Sequence, residues 1–203
     1  MNKKPILIVG LPRSGTSICT RIIQGHIGEF PFKINRYAEP EELITIHERW
    51  LARFNYPYKE KFYFPNAVQD LELIKDLSNF FWAYKDKPCI IKDPLLTVSL
   101  NNMKFRHAFW RVLIRRDRES VIESWEYHKK MKREDAEKKH DWFADNSVSG
   151  NNYIYFSRNK EQMINYLKGI VKMFDIIWDQ KIFDKHWDEG QIEYYKLSKK
   201  KKL

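Results

Sequence analysis

One stretch constrains this chain more than any other. Pro5–Val9 (PILIV) is followed by Gly10–Gly15 (GLPRSG) and then by Thr16 onward (TSICTRIIQGHI). Five consecutive apolar residues closed by a glycine predict a short strand buried on both faces. Ile18, Ile22 and Ile23 recur at helical spacing, so a helix follows. Between the two, glycines let the backbone curl until successive N–H groups converge on an anion. The helix N-terminus adds unpaired donors and the positive end of its dipole. Gly10 to Gly15 has the G-x4-G spacing of a phosphate-binding loop, with hydroxyls following at Thr16 and Ser17. A nucleotidase or kinase loop carries lysine directly after the second glycine. Here Thr16 stands in that place, and the cation lies inside the loop, at Arg13.

The remaining pattern alternates strands and helices. Pro40–Phe54 predicts a helix with Glu41 and Glu42 in its first turn. Its apolar face carries Leu43, Ile46 or Ile44, Trp50, Leu51 and Phe54. Asn55–Asn66 reads as a loop packed by its own rings, and Val68–Tyr84 as an amphipathic helix. Pro88–Ile91 is a second buried strand ending at Lys92-Asp93-Pro94. Phe109–Ile114 is a third, ending at Arg115-Arg116, with a helix over Arg118–Lys130. Lys129–Asp141 is dense in charge and shows no apolar face, which reads as a solvated helix end or a flap. Ser147–Asn152 reads as a polar loop, Glu161–Trp178 as a helix and Gln191–Leu197 as a last short strand. This order predicts one α/β domain over residues 1–198: a three-layer, mainly parallel sheet flanked by helices. Residues 199–203 form a basic tail.

Charge narrows the partner. Thirty-seven basic residues against 27 acidic ones leave +10, with four of those charges in Lys199–Lys202. Such a balance points to a phosphorylated cofactor, an acidic substrate, nucleic acid or a membrane surface. No apolar run nears the ~18 residues of a membrane span. The apolar stretch after Met1-Asn-Lys-Lys is too short for a signal peptide. Cys19 and Cys89 sit inside apolar runs and read as core residues of a reducing compartment. A soluble, cytoplasmic protein is therefore expected. The six histidines show no metal-ligand spacing, so no metal is expected.

The string Gly-Leu-Pro-Arg-Ser-Gly-Thr-Ser resembles the 5′-phosphosulfate loop of sulfotransferases that use 3′-phosphoadenosine 5′-phosphosulfate (PAPS), in their bacterial and protein-tyrosine branches. The resemblance implies a P-loop nucleoside triphosphate hydrolase-like fold. It also implies transfer of a sulfuryl group to a hydroxyl or amine of an unidentified acceptor, leaving adenosine 3′,5′-bisphosphate. Pro12, Arg13, Ser14, Gly15, Thr16 and Ser17 are then implied to hold the 5′-phosphate. Arg13 would lie beside the bridging oxygen, which gains negative charge as sulfur departs. Arg116, with Ser124 eight residues on, looks like the family's 3′-phosphate motif, a guanidinium fork and a hydroxyl. Arg115 takes the place of Arg116 if the register shifts by one. Lys92-Asp93-Pro94 resembles a Lys-Asp-Pro-Arg element, which implies that Lys92 neutralises the sulfuryl oxygens. Asn35–Leu51 resembles an Asn-Pro-x-Gly-Tyr-x-Glu segment, which makes Glu39 the general base.

The resemblance spans residues 5–125 and has departures. Asp117-Arg118 stands where Asn-Pro or His-Pro is usual, Leu95 where an arginine is usual, and Pro94 where the cytosolic members carry a histidine base. No late Arg/Lys-x-Gly loop is found. Plainer readings exist for several of these residues. Asp93-Pro94 suits a helix start. Glu39, Glu41 and Glu42 suit a helix N-terminus, and Arg116 suits a salt bridge to Asp117 or Glu119. Rival functions are a P-loop kinase with Asp93 as magnesium ligand and a non-enzymatic polyanion binder. A folded but inactive sulfotransferase is a further reading. Nucleic acid is not the expected partner.

Overall fold

Ile6–Gly10 forms β1, with every residue buried, which is why its apolar run is unbroken rather than alternating. The computed structural model describes residues 4–53, 70–100, 109–147, 152–157 and 159–188. Within them β2 (Ile90–Lys92) and β3 (Trp110–Arg115) flank β1 on either side, both parallel to it. A fourth strand, β4 (Asn152–Tyr155), pairs parallel with β3 and gives the order β2-β1-β3-β4. The register sets Ile8 beside Lys92 and Gly10 beside Ile114.

Helices cover both faces. Ile6, Ile8, Ile90, Val112 and Ile114 pack against Cys19, Ile22 and Ile23 of α1 (Thr16–Ile27) and Met163 and Leu167 of α7 (Lys160–Lys172). Leu7, Val9, Ile91 and Leu113 pack against α2 (Glu41–Arg53) and α3 (Leu71–Tyr84). On α2 the buried apolar residues are Leu43, Ile46, Trp50 and Leu51, so Ile46 rather than Ile44 belongs to the core face. A third cluster joins Val98 of α4 (Leu96–Ser99) to Val121, Ile122 and Trp125 of α5 (Arg118–Lys129) and to α6 (Arg133–Asn146). The chain is thus a three-layer α/β fold with a parallel sheet, of the P-loop-like class.

Three expectations change. Lys129–Asp141 is not a helix end without an apolar face, because α6 is a separate helix that buries Ala136 and Phe143. Two small contact points suffice where flanking charges pair among themselves, as Arg133 does with Glu119, Glu126 and Glu137. Strand β4 begins at Asn152, where a polar loop was expected; only Ile154 of it is buried, so its apolar signal is one residue deep. Helix α7 stops at Lys172, and Trp178 instead precedes a second helical segment at 180–188 whose Phe183 and Trp187 join the α1 face. The Asn55–Asn66 loop, the start of the 68–84 helix before Asp70, the 191–197 strand and the 199–203 tail lie outside the described residues. Among the described residues no helix is long and apolar enough to cross a membrane.

Candidate functional site

A parallel sheet delivers the C-terminal ends of all its strands to one edge, where ligands of such sheets bind. Here the chain leaves that edge through 11–15 after β1, 93–95 after β2 and 116–117 after β3. The first loop is clamped at its base. Gly10 donates its N–H to the Thr97 hydroxyl at 2.8 Å, and the same hydroxyl donates to the Gly10 carbonyl at 3.0 Å. A Cβ on Gly10 would stand 2.5 Å from the Ile114 carbonyl oxygen, so β3 approaches too closely for any side chain. At the far end the Ser14 hydroxyl donates to the Leu11 carbonyl at 2.7 Å. Gly15 caps α1 in the left-handed region, φ 93°, and a Cβ there would fall 2.3 Å from the Phe156 ring. Asp70, Asp117 and Asn159 cap α3, α5 and α7 with their side chains, whereas α1 has no side-chain cap. Its first-turn donors therefore border the loop without a side-chain acceptor of that kind.

The loop, β3 and α5 meet in a cationic cluster. Arg13, itself at φ 76°, donates from Nε to the Ser124 hydroxyl at 2.9 Å. Arg116 donates from Nη1 to the Arg13 carbonyl at 3.3 Å. Arg115 lies elsewhere: it is exposed, with its guanidinium 4.5 Å from the Tyr153 ring centre. Asp117 starts α5 by accepting from the Ser120 N–H at 2.8 Å. Its partial burial favours the neutral acid, but the Ser120 contacts and the Arg116 charge outweigh this and hold the carboxyl below its usual range.

A second, buried cluster sits at the end of β2. The Lys92 ammonium lies 2.5 Å from Glu39 Oε1 and donates to the Ser17 hydroxyl at 3.2 Å and the Tyr37 carbonyl at 3.4 Å. Burial pulls the Lys92 pKa down, and the Glu39 contact offsets that only in part. Glu39 is aimed by Asn35, whose Nδ2 donates to Glu39 Oε2 at 2.9 Å. The Asn35 side-chain oxygen also accepts from the N–H groups of Tyr37 at 2.8 Å and Glu39 at 3.1 Å. These bonds hold Ala38 at φ 59°, a conformation that costs on the order of 1 kcal/mol for a residue with a Cβ. Ser17 touches Lys92, and Arg13 is close enough to act on Lys92 through its charge, so the two clusters are neighbours.

Behind Lys92 lies a buried chain of three side chains. Asp93 Oδ2 is 2.8 Å from His47 Nδ1, and His47 Nε2 is 3.1 Å from the Ser99 hydroxyl. Asp93 Oδ1 accepts from the Leu95 N–H at 2.8 Å, the turn-starting role its Asp-Pro sequence suggests. Burial would raise the Asp93 carboxyl; His47, the Leu95 N–H and Lys92 together outweigh it and hold the carboxyl below its usual range. The Asp-His-Ser order matches that of hydrolytic triads. Asp93, His47 and Ser99 are all at most 1% exposed, so the hydroxyl meets no solvent and the group is a scaffold.

The sites expected from the sequence thus fall into two neighbouring groups, Arg13–Ser124–Arg116 and Ser17–Lys92–Glu39, with Ser14 and Thr16 buried along the stretch from Arg13 to Ser17 and Pro12 half-buried beside them. His47, Asn35, Ser99 and Phe156 were not singled out. A histidine on the apolar face of α2 between Ile46 and Trp50 was the available signal, since a buried imidazole needs partners. Cys19 and Cys89 are buried on opposite faces of the sheet, and burial lifts both thiols to about 12, so neither is a nucleophile. Among the described residues no group of three or more His, Cys, Asp or Glu is placed to hold a metal ion.

No protein-family model matches the sequence, and no curated protein matches it. Among solved structures, TT1252 from Thermus thermophilus is 13% identical and superposes with a TM-score of 0.50, over 85% of this chain and 98% of that one. The sulfotransferase domain of the Synechococcus olefin synthase is 16% identical, with a TM-score of 0.47 over 89% of this chain and 76% of that one. Shikimate kinase from Aquifex aeolicus is 16% identical, with a TM-score of 0.42 over 84% and 96%. Identities this low speak to fold alone.

Proposed function

We propose that this chain is a PAPS-dependent sulfotransferase, passing a sulfuryl group in line to a hydroxyl or amine. The supporting observation is the convergence of Arg13, Arg116 and Ser124 at the uncapped start of α1, with the Lys92–Glu39 pair alongside. Two guanidinium groups and a helix N-terminus are a donor set for two phosphates on one small molecule. In this reading the loop from Pro12 to Ser17 receives the 5′-phosphate, and Arg116 with Ser124 receives the 3′-phosphate. Ser124 exchanges its bond from Arg13 for one to phosphate, which releases Arg13 toward the bridging oxygen.

The Glu39–Lys92 pair then couples two jobs. Glu39 takes the acceptor's proton at a carboxylate oxygen while Asn35 holds the other oxygen. Neutralising Glu39 loosens its hold on Lys92, and the ammonium turns to the charge building on the transferring group. The donor supplies the activated sulfur; the protein supplies cations, a base and orientation.

The kinase alternative needs Asp93 beside magnesium. Both Asp93 oxygens are engaged, one by His47 and one by Leu95, and the residue is fully buried. The test is calorimetric titration with adenosine 3′,5′-bisphosphate, 5′-AMP and ATP, each with and without magnesium. The bisphosphate should bind at least about tenfold more tightly than 5′-AMP, independently of magnesium. Equal affinities for bisphosphate and 5′-AMP, or tight binding only of ATP with magnesium, would overturn the proposal.

A further inference from the structure

The bonds that aim Glu39 belong to a short turn, and that turn brings two arginines to the solvent side of the Lys92–Glu39 pair. The Asn35 carbonyl accepts from the Ala38 N–H at 3.1 Å, which leaves Arg36 and Tyr37 at the corner. The Tyr37 carbonyl faces the Lys92 ammonium at 3.4 Å. The Arg36 guanidinium lies 4.7 Å from the centre of the Tyr37 ring and donates from Nη2 to the Tyr37 hydroxyl at 2.6 Å. Helix α1 stands opposite. Ser17 and Arg21 are one helical turn apart and share a face of it. Ser17 meets Lys92 at 3.2 Å, and Arg21 donates from Nη2 to the Arg36 carbonyl at 2.6 Å. Glu39 and Lys92 are buried, whereas Arg21 and Tyr37 are half-buried and Arg36 is exposed.

Both arginines keep their charge. Arg21 rests on a carbonyl, and Arg36 on a hydroxyl and a ring, all of them neutral. The carboxylate nearest along the chain, Glu39, is engaged by Lys92 and Asn35. Among the described residues neither arginine forms an ion pair. A guanidinium presents its N–H donors in a fixed fork that matches a carboxylate. A neutral acceptor would leave both forks unused, and a cationic one would be repelled.

We propose that Arg21 and Arg36 form an anion-receiving rim of the acceptor subsite, and that the acceptor is a small hydroxyl or amine compound that also bears a carboxylate. The reacting group reaches Glu39 while the carboxylate stays outside, on the two guanidinium groups. The proposal rests on the sulfotransferase reading for the fate of the acceptor, and on the turn and α1 alone for the rim.

The test uses 4-hydroxybenzoate, 4-hydroxyphenylacetate and 3-(4-hydroxyphenyl)propionate, each beside its neutral amide, so that charge varies at three spans. Affinities come from ligand-observed NMR titration of the free and the bisphosphate-saturated protein. At the span that fits best the carboxylate should bind at least about tenfold more tightly than its amide. Arg36→Gln removes a side chain bonded only to its neighbour Tyr37 and should lower that ratio severalfold. Arg21→Gln/Arg36→Gln should abolish it, with bisphosphate affinity within about twofold of wild type. A net charge of +10 attracts any anion, so Lys172→Gln/Lys181→Gln, which removes two exposed charges from α7 and the helical segment after it, is the control and should keep the ratio.

A ratio near one at all three spans, no binding of any carboxylate, a ratio that survives in the double arginine variant, or one that falls equally in the lysine control overturns the proposal. Selective binding of the bisphosphate without a carboxylate preference sinks the rim and leaves the sulfotransferase reading standing. A carboxylate preference carried by the two arginines, without selectivity for the bisphosphate over 5′-AMP, keeps the rim and sinks that reading.

Discussion

Arg13 and Arg116 are aimed by a hydroxyl and a main-chain carbonyl, whereas Lys92 is held by a carboxylate and buried. The first arrangement orients both guanidinium groups beside the loop that leads into α1, where their charge can meet an arriving anion; the Arg116 charge also acts on Asp117. The second nearly cancels its charge at rest and needs a proton to release it. In the proposed reading Arg116 and Ser124 hold a phosphorylated molecule, whereas Arg13, Lys92 and Glu39 meet the charge that changes during a reaction. The sharper the difference between them, the more their variants should separate into binding defects and defects of turnover or stability.

The largest separation is expected at Arg13. Arg13→Ala should lower PAPS turnover by about 10²–10³-fold, the scale of one lost transition-state donor, with a much smaller loss of bisphosphate affinity. Steady-state kinetics beside calorimetry would measure both, and equal losses would make Arg13 a binding residue alone and remove it from the bridging oxygen. Lys92→Met comes next. It strands the Glu39 charge in the interior and should cost about 3 kcal/mol in denaturant unfolding. Glu39→Gln/Lys92→Met should regain most of it; a double variant as unstable as the single one would show that the pair is not electrostatically coupled.

Arg116→Ala should act on binding alone. The preference for bisphosphate over 5′-AMP should shrink by roughly ten- to a hundredfold, the range for a charged hydrogen bond, with 5′-AMP affinity nearly unchanged. A variant that loses both equally would place Arg116 outside the 3′-phosphate subsite. The smallest effect concerns acid. Burial works against ionisation of Asp117, but the Ser120 contacts and Arg116 hold its folded-state pKa below the usual value of 3.8. Its contribution to stability is complete above that value and is lost as the pH falls through the folded-state pKa. Asp117→Asn keeps the cap and removes the titration, so thermal unfolding below pH 4 should depend slightly less steeply on pH.

The two clusters also differ in how far they could be read from the sequence. Strands β1, β2 and β3 announce themselves as apolar runs because they are buried on both faces, and residues at their ends fall at one edge by topology. Arg13 and Arg116 were accessible that way. Strand β4 was not, since Tyr153 and Tyr155 are exposed and only Ile154 carries a buried-strand signal. His47 was missed for a different reason. Its partners stand 46 and 52 residues away, and nothing local to α2 names them. Asn35 looks like an ordinary turn residue, and its function as a brace for Glu39 depends on the turn at Ala38.

The claim beneath all of this is that the Arg13 and Arg116 ends serve two phosphates of one molecule. The most direct measurement is a crystal structure of the protein with adenosine 3′,5′-bisphosphate. The 5′-phosphate should lie on the N–H groups of residues 14–17 and the 3′-phosphate between Arg116 and Ser124, with the Arg13–Ser124 bond broken. A bisphosphate bound with its 3′-phosphate away from Arg116, or with that bond intact, would contradict it.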